Sequence, residues 1–142
     1  MDETAYRQAL TSSNSRYCPF EKSVLTHCAA CSRAVKHNIA EREVVACDNM
    51  QAQERCVALR ALLRSNFAFA LGKLHIDAPL PHAQEMRMQC GGLKGLQVTL
   101  DGSEVVVDVD ALLVQALQRY GALTELPYSQ IVQRANMYYK GR

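Results

Sequence analysis

The sequence has no tryptophan, only four prolines and no long hydrophobic run. Its longest strongly apolar stretch, Phe67 to Leu71, falls far short of the ~20 residues that span a bilayer. The N-terminal MDETAYRQALTSSN carries acids and polar residues where a secretory signal needs an apolar core. These absences predict a cytoplasmic protein without a membrane span. Charge of one sign is also missing: the net charge of +2 gives no electrostatic case for a nucleic-acid or membrane partner. Chemical motifs are equally sparse. Gly91-Gly92-Leu93-Lys94-Gly95 lacks the spacing of a phosphate-binding loop. No serine sits in a nucleophile elbow, and His75 and His82 flank a proline linker with no acid–base partner. A stand-alone enzyme is therefore not the expectation.

Cysteine is the residue in excess. The chain has six in 142 residues, and five lie between positions 18 and 56: Cys18, Cys28, Cys31, Cys47 and Cys56. Cys28 and Cys31 form a C-x-x-C pair flanked by single cysteines on both sides. A chain of this length and aliphatic content has no need of disulfide staples. In a reducing compartment three structural disulfides are not expected, which leaves metal binding or redox chemistry. Cys90 stands apart beside two glycines and reads as a helix-end thiol.

The ligand set follows from position. Cys28 and Cys31, three apart, can share an aim. Cys18 and Cys47 each precede a predicted helix, where dipole and free N–H groups stabilise a thiolate. Cys56 lies on the apolar side of its helix, roughly a dozen Å along the axis from Cys47. The expected ligands are Cys18, Cys28, Cys31 and Cys47, with Cys56 in reserve. A zinc ribbon shows two C-x-x-C knuckles and this chain has one. Iron–sulfur sites accept one close pair plus dispersed cysteines. A [4Fe–4S] cluster is thus the first expectation, zinc the alternative, and a set of core thiols the third. Arg16, Lys22, Arg33 and Lys36 are at hand to balance an anionic centre.

For secondary structure, residues 3–11 are read as a short helix. PFEKSVLTH follows as a helix opened by Pro19, and RAVKHNIAEREVVA as another, capped by Ser32. The strongest helical signal is MQAQERCVALRALLRSNFAFAL, with Asp48 or Asn49 as cap and Gly72 as terminator. HIDAPLPH is a linker, and Pro81 opens a short helix stopped at Cys90-Gly91-Gly92. Leu96, Val98 and Leu100 alternate ahead of Asp101-Gly102 and the run Glu104 to Asp108, which reads as a hairpin. Asp108 or Asp110 caps a helix ending at Gly121, and Ser129 caps a last helix with a basic, tyrosine-bearing tail. The predicted class is α+β, mainly α. A helical cysteine-rich region (1–72) packs with a small region of hairpin and two helices (80–142) as one globular unit.

The run from Cys18 to Leu71, with CPFEK, CAAC, VAC, ERC and LRALLRSNFAFAL, resembles the cysteine-rich iron–sulfur module at the N-terminus of leucine-rich repeat variant proteins. The resemblance covers about a third of the chain. It implies a [4Fe–4S] cluster held by these cysteines in a small helical domain. The helical repeats that follow that module elsewhere are absent here. The function expected is a small iron–sulfur protein, an electron carrier or accessory subunit of a cytoplasmic redox complex, with a redox partner protein. The alternatives are a zinc-stabilised adaptor or nucleic-acid-binding module, and an iron or redox sensor.

Overall fold

The structure, a computed structural model, describes residues 16–70 and 80–138. The helix read at 3–11, the terminator Gly72 and the linker residues up to Pro79 lie outside that range, as does the tail beyond Tyr138.

Chain order is α1 (Glu21–Leu25), β1 (Ala34–Ile39), β2 (Arg42–Cys47), α2 (Met50–Ala70), α3 (His82–Met86), a π-helical turn (Arg87–Gly91), α4 (Gly92–Asp101), α5 (Val109–Tyr120), a 3₁₀ turn (Leu123–Glu125) and α6 (Tyr128–Tyr138). The class is α+β, mainly α, with one two-stranded antiparallel sheet. Asn49 starts α2 by accepting a hydrogen bond from the Ala52 N–H at 2.8 Å, satisfying a donor left open in the first turn. Leu59, Leu63 and Phe67 then repeat at four-residue steps and are almost fully buried. They meet Leu93 and Leu96 of α4, Leu112 and Leu113 of α5 and Ile131 of α6 in one core. Each such side chain contributes roughly 1.5–3 kcal/mol by burial. The core also takes in Phe20, Ala29 and Cys56, so the cysteine-bearing residues and the C-terminal helices share it.

The hairpin is real but sits elsewhere. The sequence reading placed a helix on residues 33–46 and a hairpin on 96–108; the structure reverses both. Residues 34–47 pair from Ala34↔Cys47 to Ile39↔Arg42. The two residues between, Ala40 and Glu41, have φ of 53° and 68°, the left-handed pair that a tight hairpin turn needs. Neither is Gly or Asn, so the usual turn signal is absent. The β-branched Val35, Ile39, Val44 and Val45 fit a pleated surface better than a helix. Val44 and Val45 are both fully buried, which means β2 is covered on both faces.

Residues 92–101 are helical because their buried positions, Leu93, Leu96 and Gln97, recur at steps of three and four. The glycines before and within α4 allow close approach and do not stop the helix. A Cβ on Gly91 would stand 2.8 Å from the Ala135 Cβ, and one on Gly95 would stand 2.7 Å from the Ile131 carbonyl oxygen. Gly91 and Gly95, four apart, thus form the seat for Ile131 and Ala135, also four apart. Asp101-Gly102 ends α4: Gly102 has φ 82° and its N–H bonds to the Val98 carbonyl. The same dipeptide serves a hairpin turn or a helix C-terminus, since both call for a left-handed glycine.

Buried polar groups tie the helices together. Arg60 of α2 holds Glu85 of α3 through two bonds of 2.8 and 3.2 Å. Gln89 donates to Glu85 at 2.7 Å, and its carbonyl accepts from the Ser23 N–H and hydroxyl of α1. Each buried group is therefore satisfied by its neighbour.

Two changes test this packing. Gly95→Ala drives a methyl into the α6 backbone and is expected to cost about 1–3 kcal/mol, measured by urea unfolding. Ala40→Asn with Glu41→Gly supplies residues suited to the left-handed turn and is expected to stabilise by about 1 kcal/mol.

Candidate metal centre

Strand pairing on both edges of β2 assembles the site. On one edge the β1 register places Ala34 opposite Cys47, bringing in Cys31 three residues earlier. On the other edge Tyr17 bridges Ala46, with the Cys18 N–H bonded to the Val45 carbonyl and the Cys47 N–H to the Arg16 carbonyl. After Asn49 the chain turns into α2, and Ala52 and Cys56, four apart, face the same place. Cys18, Cys31, Cys47 and Cys56 line one pocket, closed by Phe20, Val24 and Val109. All four are free thiols.

Of the cysteines singled out in the sequence, three (Cys18, Cys31 and Cys47) are brought together. Cys56, the reserve, completes the group. Cys28 is not among them: it is bonded to Cys90, 62 residues away, with Cα atoms 5.9 Å apart. The C-x-x-C spacing therefore divides between two structures. The signal that favours Cys56 is its step of four from the small Ala52, on the face of α2 that continues into the core.

The thiols are held where ionisation is costly. Burial pushes Cys18 up to about 12; the Phe20 N–H opposes this, while Cys31, Cys47 and Glu21 add to it. Burial also pushes Cys31 up, against the N–H groups of Arg33 and Asp110. Cys56 is raised by burial most of all, then by the sulfurs of Cys18, Cys31 and Cys47 and by Asp110. Cys18 and Cys56 thus feel other sulfurs of the group. Cys47 donates to the Asn49 carbonyl at 3.2 Å. Four thiolates in such a place need a cation among them. Backbone N–H groups aimed at sulfur are the polar contacts that tune a thiolate-bound centre.

An ionic shell closes the rim. Asp110, at the start of α5, accepts from Arg33 at 3.5 Å and from Arg55 at 3.2 Å, and Arg33 also reaches Asp48 at 3.7 Å. Arg55 Nε is buried without a hydrogen-bond partner among the described residues. The N-terminus of α5 adds partial positive charge. Sequence reading assigned Asp110 only to turn or capping duty. Its pairing with two arginines across the pocket comes from tertiary contact between residues 55 and 77 positions apart.

Among the described residues no three His, Cys, Asp or Glu side chains are placed to hold a metal ion as they stand. The four thiols are the donor type that zinc and iron–sulfur centres share.

Other sequence features are structural. Asp108 caps α5 by accepting from the Asp110 N–H, and it also accepts from the N–H and hydroxyl of Ser32. It thereby anchors the residue after Cys31. Comparison with protein-family models, curated proteins and solved structures found no match to this chain.

Desolvation works to raise the Asp108 carboxyl, but the Ser32, Asp110 and Ala111 donors outweigh it and hold it below its ordinary range. A carboxyl so lowered stabilises the fold above that range and loses its contribution as pH falls through the folded value. Asp108→Ala is expected to cost about 1–2 kcal/mol, and Asp108→Asn to make the fall in Tm between about pH 5 and pH 3 shallower.

Proposed function

We propose that the protein is a small cytoplasmic iron–sulfur protein, acting in electron transfer or as an accessory subunit of a redox complex. The observation that carries this reading is the convergence of four free thiols, from four separate stretches of the chain, on one apolar pocket. Cys18, Cys31, Cys47 and Cys56 would hold a [4Fe–4S] cluster. When bound, such a cluster supplies reversible one-electron chemistry.

The chain's own residues perform three tasks around it. The cysteines would present four sulfurs of one kind, from the bridge before α1, the loop before β1, the last residue of β2 and the interior of α2. Phe20, Val24 and Val109 exclude water, lowering the local dielectric and strengthening every N–H to sulfur contact. Arg33, Arg55 and the α5 N-terminus offset negative charge. Among the described residues no helix is long and apolar enough to cross a membrane, which agrees with a partner met away from the bilayer.

The test is anaerobic purification with iron, sulfide and zinc analysis and a visible spectrum on one sample. The expected result is about four irons and four sulfides per chain with a broad band near roughly 400 nm that bleaches on reduction. One zinc per chain with no iron would overturn the electron-transfer reading in favour of a zinc-stabilised binding module.

A further inference from the structure

The Cys28–Cys90 pair lies outside the metal centre, yet it is joined to it by three residues of chain. Cys28 opens the loop that ends in Cys31, while Cys90 sits fully buried in the π-helical turn. The loop enters through His27 in the left-handed region, φ 64°, a conformation that a non-glycine residue holds only under constraint. Both sulfurs also have partners suited to the reduced state. Cys28 Sγ lies 3.5 Å from the Ser23 carbonyl oxygen, an acceptor for a thiol. Ser23 Oγ and Thr26 Oγ1 lie 3.6 and 4.0 Å from Cys90 Sγ; their own protons go to Gln89 and to the Lys22 carbonyl, which leaves both as acceptors for a Cys90 thiol.

We propose that Cys28–Cys90 is a reversible thiol–disulfide exchange site for a dithiol reductant, and that its state sets how firmly the loop presents Cys31. Cys28 is part-exposed and Cys90 is not, so attack falls on Cys28. A thiolate of the dithiol bonds to Cys28 Sγ as the Cys28–Cys90 bond breaks. Cys90 leaves as a thiolate beside the two hydroxyls and takes a proton from solvent. The reductant's second thiol then attacks its own mixed-disulfide sulfur, releasing Cys28, which is protonated in turn. Two electrons and two protons pass to the protein, and the dithiol becomes a disulfide. With the bridge open, residues 26–29 can relax from the His27 turn. The far end stays docked through the Ala30 N–H to the Val106 carbonyl, the Val109 N–H to the Ala30 carbonyl, and Ser32 to Asp108. Opening therefore frees the segment that leads into Cys31 and covers it from one side, while Ala30 and Ser32 stay docked.

The metal arm of this proposal rests on the reading above, and a second arm does not. Full-length protein is compared before and after dithiothreitol, alongside a Cys28→Ser/Cys90→Ser variant as the permanently open form. Hydrogen–deuterium exchange of residues 26–29 is expected to rise at least threefold on reduction, with α4 and α6 unchanged, and to be high in the variant with or without dithiothreitol. Iron release to excess chelator is expected to accelerate at least threefold in the same two open forms. A bridge that native protein does not yield to dithiothreitol, or equal loop exchange in both states, would overturn the proposal. A protein that binds no metal defeats the iron–sulfur reading alone, because the exchange arm still decides. Changed loop exchange with unchanged metal release would remove the link to Cys31.

Discussion

The two-edged pairing of β2 is the constraint from which the site follows. One strand, buried on both faces through Val44 and Val45, accepts β1 on one side and residues 16–18 on the other. A shift of the register by one residue would turn every side chain to the opposite face. Cys18, Cys31 and Cys47 would then no longer meet. The helix that leaves the strand adds Cys56 from within the core, so hydrophobic packing and sulfur placement depend on the same element. Burial in turn makes Cys18, Cys31 and Cys56 costly to ionise, so as thiolates they would call for a cation.

The polar shell is arranged around that requirement. Asp110 holds Arg33 and Arg55 at the rim, and Asp108 holds Ser32 beside Cys31. Both acids lie at the start of α5, whose own N–H groups face the pocket. Thus one helix terminus performs capping, loop anchorage and charge balance. The Cys28–Cys90 bridge constrains the same loop from its other end, against the Gln89–Glu85–Arg60 chain that fixes the π-helical turn. The loop bearing Cys31 is therefore held at both ends by different chemistry, one ionic and one covalent.

Much of this was legible in the sequence, and the remainder was hidden for identifiable reasons. The long helix declared itself through Leu59, Leu63 and Phe67, while its cap was legible only as Asp48 or Asn49 and the α5 cap only as Asp108 or Asp110; the structure selects Asn49 and Asp108. The mixed class with one hairpin was legible, but the hairpin's position was not. Ala40 and Glu41 adopt a turn their residue types do not advertise, and Asp101-Gly102 advertises a turn it uses to end a helix. The gathering of several cysteines in one place was legible. The exact four were not, because adjacency in C-x-x-C suggests a shared target, whereas the fold sends Cys28 to Cys90 and Cys31 to the pocket. Only the strand register and the α2 packing face, both tertiary facts, select Cys56.

The central claim concerns which four sulfurs share the centre. Its most direct test is metal content together with sulfur coordination number, by X-ray absorption, in the wild type and in Cys28→Ser and Cys56→Ser variants purified anaerobically. The structure predicts that Cys28→Ser keeps the wild-type metal content with four sulfurs from protein, and that Cys56→Ser loses most of its metal or a protein sulfur. Full retention in Cys56→Ser with loss in Cys28→Ser would contradict it.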